Sequence, residues 1–355
     1  QALTSIPQLR LHNQCITRAA HRRPDDLVAW LGAVQAQEFD AAKWGLGLRL
    51  PETTTDGAIE KAFDAGRILR THVMRPTWHF VTASDIRWML ELTAPRVHRT
   101  ISNYCRKCGF ETAACPRAAT IFERALDGRA PIRRELSTHL ERNGIRTKGI
   151  PLAMLTIFAE LEAVICSGPR RGKDQTYAQL AARAPDAKRL PRDEALAELT
   201  SRFFRSHGPA TMRDFVWWSG LTMADTKRGL EMNRAKSHAV DGCTYWTVGE
   251  ATRSRTSAVN THLLPIYDEY LVSYRDRYAV PHGPTVVKSG ASSVTFQHAL
   301  VVGGQVAGTW RLARTASHIA LDVVPLRKLT RVERGQVKEA AERYSRFVGA
   351  PVRLG

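Results

Sequence analysis

The first residues with reach for chemistry are Val34-Gln35-Ala36-Gln37-Glu38, directly after the apolar run at 27–31. Two glutamines flank one small apolar residue. A primary amide does not titrate near neutral pH, so neither is a general base; each orients partners by donating and accepting hydrogen bonds. The spacing sets a geometric condition. On an α-helix, residues i and i+2 lie about 200° apart, whereas in extended chain they share a face. For both amides to meet one ligand, the helix must end or loosen near Val34 or Gln35, and Gly32 and the polar residues after Gln37 permit that. In the bland alternative, one glutamine closes a helix end and the other faces solvent.

Other candidates lie in three further stretches. "RTHVMRPTWHFVT" offers Arg70, Arg75 and His79 for contacts to a backbone or a ligand, and His72 and His79 belong to the side-chain class with an ordinary pKa near neutrality. Alternation there puts Val73 and Trp78 partly in a core. Lys43 and Arg49 follow the glutamines closely and are candidates to neutralise phosphates. "SGPRRGKD" sets Arg170 and Arg171 at the tip of a basic turn, either against a phosphate backbone or in a solvated loop. In "LLPIYDEYLVSYRDR", Asp268 and Glu269 could form an acid/base pair, but beside Tyr267 and Tyr270 they read more readily as a structural hydrogen-bond cluster. Tyr274, Arg275 and Arg277 follow near a hairpin or loop, as candidates for a nucleic-acid face.

Several chemistries lack their signals. No GxxxxGK[ST] loop, HExxH or GxSxG elbow occurs, and "GLGLRL" lacks the third glycine of a dinucleotide fingerprint, so no nucleotide cofactor is expected. Among six cysteines only Cys105 and Cys108 are closely spaced; a zinc site would need Cys115 or His98 as well, and no metal is expected. Reduced cysteines in a cytoplasmic protein are the simpler reading. There is no apolar run long enough for a membrane span and no signal-peptide pattern.

The elements that must hold these residues follow a repeating plan: helices, then a short hairpin. In residues 1–110, Pro24 opens a helix, Thr and Asp caps precede another that stops at Gly66, and a hairpin turns around Arg75-Pro76. In 111–190, one helix turns at Asn143-Gly144, another starts near Pro151, and two strands flank Gly168-Pro169-Arg170-Arg171-Gly172. In 191–240, "GPATMRDFVWWSGLTMADTKRGL" is a helix-turn-helix pattern with Gly220 in the turn; Trp217 and Trp218 are read as its core rather than as stacking platforms. From 241 to 355 the chain is strand-rich, with Gly303-Gly304 marking a hairpin and a closing helix near 331–348. The expected class is α+β, with winged-helix units followed by a β-rich region.

The 355 residues carry a net charge of +18. The four segments just named carry +5, +5, +2 and +6, so the excess is spread over every folded part rather than held in a tail. Such a distribution suits a long surface facing a polyanion.

Together "VQAQEFDAAKWGLGLRL", "RTHVMRPTWHFV", "ELTAPRV" and "LLPIYDEYLVSYRDR" resemble the AlkZ and AlkX (YcaQ) bacterial DNA glycosylases, from about residue 5 to the C-terminal end. The Gln-apolar-Gln form resembles the AlkZ branch; the AlkX branch carries Asp where this chain has Gln37. The resemblance implies three tandem winged-helix units and a C-terminal β-rich region curved around duplex DNA. It implies that Gln35 and Gln37 are the catalytic pair, and that the substrates are bases alkylated at a ring nitrogen, chiefly N7 of guanine. It extends to bulky adducts or interstrand crosslinks of a natural product such as azinomycin B, hence to repair and self-resistance. No motif places a lysine or terminal amine for a Schiff base, so monofunctional excision is expected; the resemblance adds a monomer, since glycosylases of this sort can work alone. The competing reading is a winged-helix DNA-binding protein without catalysis; the glutamine pair separates the two, since a pure binder has no need of it. An RNA-binding reading is weaker, because no aromatic RNP-type pattern appears.

Overall fold

The fold is a computed structural model that describes residues 5–107, 110, 112–148, 150–249, 261–275, 297–315 and 317–355. It is α+β, and one plan recurs three times: three helices and a hairpin. The first unit has helices Pro24–Leu31, Phe39–Gly47 and Asp56–Asp64, a short strand β1 (Val34–Gln35), and a wing of β2 (Ile68–His72) and β3 (Trp78–Thr82). The second has helices Cys115–Ala125, Arg133–Arg142 and Ile150–Leu161 with wing strands β4 (Ile165–Ser167) and β5 (Tyr177–Gln179). The third has helices Arg192–Ser206, Met212–Ser219 and Met223–Met232 with wing strands β6 (Lys236–Val240) and β7 (Cys243–Thr247).

The repetition reaches the strand register. In the first unit β1 pairs with β3, the second wing strand, through Val34↔Phe80 and Gln35↔His79. In the second, Ile132 bridges Thr176; in the third, Ala210 bridges Trp246. In each unit, then, the segment before the second helix lies along the far strand of the wing. The expected boundary at residue 240 cuts the third wing, because β6 and β7 pair from Lys236↔Thr247 to Val240↔Cys243. The missed signal was Asp241-Gly242, both at positive φ, a hairpin dipeptide of the tight-turn kind.

Local chemistry explains where these elements stop. Thr55, Thr211, Thr222 and Thr330 each accept a hydrogen bond from a helix N-terminal N–H, satisfying donors that would otherwise be orphaned. The helix Met212–Ser219 ends at Gly220 (φ +70°), where a Cβ would also lie 2.3 Å from the Met74 carbonyl oxygen. This turn of the third unit therefore sits directly on the first wing.

After the third wing, β8 (Thr261–Leu264), β9 (Ala299–Val302), β10 (Gln305–Arg314), β11 (Ile319–Pro325) and β12 (Val352–Leu354) form one sheet in the order β12-β11-β10-β9-β8. The expected hairpin at Gly303-Gly304 joins β9 to β10, and the closing helix spans Arg331–Val348. Among the described residues, this region has no core separate from that of the first unit. Leu263, Leu300, Val306, Trp310 and Phe347 share one apolar cluster with Leu27, Leu31, Trp44, Phe63 and Phe80 of the first unit. Trp44 crosses the joint by donating to the Leu263 carbonyl, and within the sheet Trp310 donates to the next carbonyl, that of Leu264.

Arg49 locks the same joint. It is 1% exposed, and all five of its N–H groups are used: two on Asp268 at 2.8 and 2.7 Å, the others on Gly45 and twice on Gln14. Removing one member of such a buried pair strands the other charge. Arg49→Met is expected to lower stability by about 3–5 kcal/mol in urea unfolding; a loss under about 1 kcal/mol would mean that the pair is not buried. Acid gives a second check. Burial, and then the neighbouring Arg75, push the pKa of His79 from 6.5 down to about 3. The unfolded chain takes up that proton first, so the stability that His79 contributes is complete above pH 6.5 and drains as pH falls toward 3. His79→Asn should therefore lose less Tm than the parent between pH of about 7.5 and 5, and an equal loss would show that His79 is not held neutral.

Candidate active site

Gln35 and Gln37 lie where the backbone condition required. The first helix stops at Leu31, Gly32 takes φ +84°, and the chain is extended by Val34. The Ala36 N–H continues the ladder onto the Trp78 carbonyl at 2.7 Å. Gln35 is buried and Gln37 half-buried. Both side-chain oxygens are met by the first wing. Arg75 Nη2 donates to Gln35 Oε1 at 3.0 Å, and the Trp78 backbone N–H reaches Gln37 Oε1 at 3.4 Å.

Behind Gln35 is a buried carboxylate. Glu269 accepts the Gln35 backbone N–H at 2.6 Å and the Trp218 Nε1–H at 3.0 Å, and also the Ser273 hydroxyl. His207 Nε2 stands 3.4 Å from it. Burial alone would raise its pKa, but these donors outweigh burial and bring it down to about 2, so Glu269 stays ionised. Its charge also partly offsets the burial of Arg75, whose pKa is lowered.

His79 completes this side. Its Nδ1 lies 2.9 Å from the Thr77 carbonyl oxygen, which can only accept, so Nδ1 carries the proton. Nε2 then offers its lone pair toward Arg75 Nη2 at 3.5 Å. The guanidinium of Arg75 is thus shared between a catalytic candidate and a neutral histidine.

Gln37 is held by a different set. Arg70 donates to the carbonyls of Ala36 and Gln37 at 2.9 and 3.1 Å, and its guanidinium lies 4.3 Å from the centre of the Trp78 ring. Burial lowers the Arg70 pKa to about 10. Trp78 is fixed in turn by Glu160, which accepts its Nε1–H at 3.4 Å and also takes the His72 ring Nδ1 and backbone N–H. Glu160 comes from the second unit, so two units build the floor of this site. In sequence it reads as one more acid on a helix face, and nothing local betrays its burial.

Several expected surface cations have inward roles instead. Lys43 is buried and ion-paired with Asp56 at 2.8 Å and Glu60 at 2.9 Å. Arg49 is enclosed as described, and Asp268 with it, so the hydrogen-bond-cluster reading of Asp268-Glu269 is the one realised. Tyr274 is buried, its hydroxyl donating to the His207 carbonyl at 2.7 Å. Arg70 and His79 are likewise buried, so neither is positioned to meet a phosphate, though both border the glutamines. For Arg49 the cause is a partner 219 positions away, which a pattern reading cannot see; Lys43 is drawn in by nearby acids of the same unit. Of the remaining candidates, Arg170 is half-buried with its guanidinium 4.7 Å from the Phe39 ring centre, close to the glutamine loop. Arg171 is exposed and pairs with Glu135, and Arg275 is exposed. Arg277 and Cys108 lie outside the described residues. Among the described residues no helix is long and apolar enough to cross a membrane.

Comparisons fit this arrangement. The chain is similar in structure to Streptomyces sahachiroi DNA glycosylase AlkZ, with a TM-score of 0.78 at 20% sequence identity, covering 98% of this chain and 99% of that one. No curated protein sequence matches it. A model of the family described as DNA glycosylase AlkZ-like matches residues 28–347. With that match over most of its length, the chain belongs to the AlkZ-like DNA glycosylases and is itself a DNA glycosylase enzyme.

Proposed function

We propose that the protein hydrolyses the N-glycosidic bond of guanine alkylated at N7, bulky natural-product adducts included, and does so with Gln35 and Gln37 in place of an acid/base pair. The observation that carries this reading is the glutamine pair itself, two non-titrating amides held on one extended segment by Arg75 and by the Trp78 N–H. The two buried carboxylates beside it, Glu269 and Glu160, are fully occupied by N–H and O–H donors, while Glu38, next to Gln37, is exposed to solvent. A neutral base would need such a carboxyl to protonate it as it leaves. An N7-alkylated guanine already carries a positive charge and departs neutral without one. What remains is to orient water at C1′ and to stabilise the cationic sugar, both tasks of placement and electrostatics. Glu269, ionised behind Gln35, supplies negative potential at no cost in proton transfer. Lys43, the lysine nearest the glutamines in sequence, is consumed in ion pairs, which agrees with hydrolysis rather than Schiff-base chemistry.

The direct test is duplex DNA with a single N7-methylguanine, incubated with the protein and then treated with alkali to cut at abasic sites. The wild type should cut at the lesion and give no borohydride-trapped adduct. Gln35→Ala and Gln37→Ala should each slow excision about a hundredfold, the scale of one misplaced orienting group, while DNA affinity stays within about threefold. Unchanged rates in both variants would remove the glutamines from the mechanism. A natural-product adduct then asks whether bulkier lesions are accepted, and no excision of either lesion would sink the substrate assignment. The pH profile is a further check. Glutamine does not titrate, and Glu269 and His79 have pKa values near 2 and 3, so single-turnover excision should vary less than about threefold between pH of about 5.5 and 8.5. A bell-shaped profile in that range would require an acid or base that this mechanism lacks.

A further inference from the structure

Trp217 is the one exposed tryptophan among the described residues, with 44% of its surface open. Its neighbour Trp218 is in the core as expected, but Trp217 is not. Nor does this ring hang free. Its Nε1–H donates to the Val272 carbonyl at 2.8 Å, so the polar edge is fixed inside and the apolar ring is presented outward.

Two contacts tie the ring to the glutamine site. Val272 ends the short helix Glu269–Val272, whose first residue holds the Gln35 N–H. Gly220, three residues after Trp217, sits on the carbonyl of Met74, the neighbour of Arg75. The surroundings are basic. Arg213, one helical turn earlier, is on the same face and exposed. Arg275 is exposed too, and is brought alongside by Asp214, which accepts its backbone N–H at 2.8 Å. Asp214 is itself buried and capping Thr211, so its charge is spent internally. Neither arginine is ion-paired to another described residue.

A pinned aromatic face with two exposed arginines on neighbouring backbone, on a chain of charge +18, matches the chemistry of a nucleobase attached to a phosphate backbone. We propose that Trp217 is a stacking platform for a base unstacked beside the lesion, with Arg213 and Arg275 holding the adjoining phosphates. An apolar protein partner would not call for the arginines. The proposal rests on the DNA-excision reading and names the surface that recognises a disrupted stack.

The test uses a fluorescein-labelled duplex with a tetrahydrofuran abasic site and its undamaged counterpart, with Kd measured by anisotropy at fixed salt. Trp217→Ala should weaken binding to the abasic duplex about tenfold, the scale of one lost stacking contact, and to the undamaged duplex less than about threefold. Trp217→Phe keeps an aromatic face but cannot donate to Val272, and it should recover most of the preference. Arg213→Ala and Arg275→Ala should weaken both duplexes and flatten the salt dependence. If Trp217→Ala leaves the preference intact or weakens both duplexes equally, the platform is wrong. If Trp217→Phe, folded by its Tm, is as poor as Trp217→Ala, the ring is an anchor and not a platform; if Trp217→Ala does not fold, the Phe variant decides alone. Excision of N7-methylguanine is followed separately. Wild-type excision with no effect of Trp217 overturns the platform alone, and a Trp217-dependent abasic preference without excision overturns the substrate assignment alone.

Discussion

The structure turns on one buried carboxylate. Taking Glu269 out of water is expensive, and the cost is offset only if donors surround it. Those donors come from parts of the chain that no local rule would bring together: the backbone of Gln35 in the first unit, Trp218 in the third, and Ser273 one turn along. Each must be in place for the carboxylate to be tolerated. The demand for satisfaction thus fixes the third unit against the first, and fixes β1 at the angle from which the Gln35 side chain meets Arg75. A replacement by apolar side chains would fill the space but would not specify which N–H sits there.

The same economy of charge runs through the site. Its arginines are partly or wholly removed from solvent, and burial lowers the pKa of both Arg70 and Arg75. Its histidine is neutral and its buried carboxylates are occupied. These buried groups supply fixed dipoles and fixed charges rather than mobile protons. On the proposed reading, such equipment suits a substrate that arrives with its own positive charge and needs no acid to release it.

How far the residue pattern reached depended on the range of the forces involved. Caps, turns and breakers act within a few residues, so the helix stop at Gly32, the Arg75-Pro76 wing, the Gly303-Gly304 hairpin and the closing helix at Arg331–Val348 were all readable. The i, i+2 spacing of the glutamines likewise demanded extended chain, and β1 provides it. Charged residues were the failure. Lys43, Arg49 and Glu160 look like solvated surface because a single sequence shows a charge but not its partner; Arg49 meets Asp268 across 219 positions. Trp217 and Trp218 failed in the opposite sense. Adjacent residues on a helix point about 100° apart, so one can be core and the other exposed, and only the packing of Phe203, Phe215 and Glu269 around Trp218 decides which.

The threefold plan explains why the glutamines are where they are. In every unit the segment before the second helix runs along the far wing strand, but in the second and third units it touches at a single residue, Ile132 or Ala210. Those residues are apolar and buried, and they do nothing but join helix to wing. In the first unit the contact lengthens into β1 and continues through Ala36 onto Trp78. Extended backbone in that slot is already ordered by its ladder, so side chains placed there are aimed without further loss of freedom. The wing supplies Arg75 and the Trp78 N–H from one side, and Glu269 supplies the anchor from the other. A joint that is merely structural in the second and third units becomes, in the first, a rigid mount for two amides. A chemistry that depends on placement rather than proton transfer requires a mount of this kind.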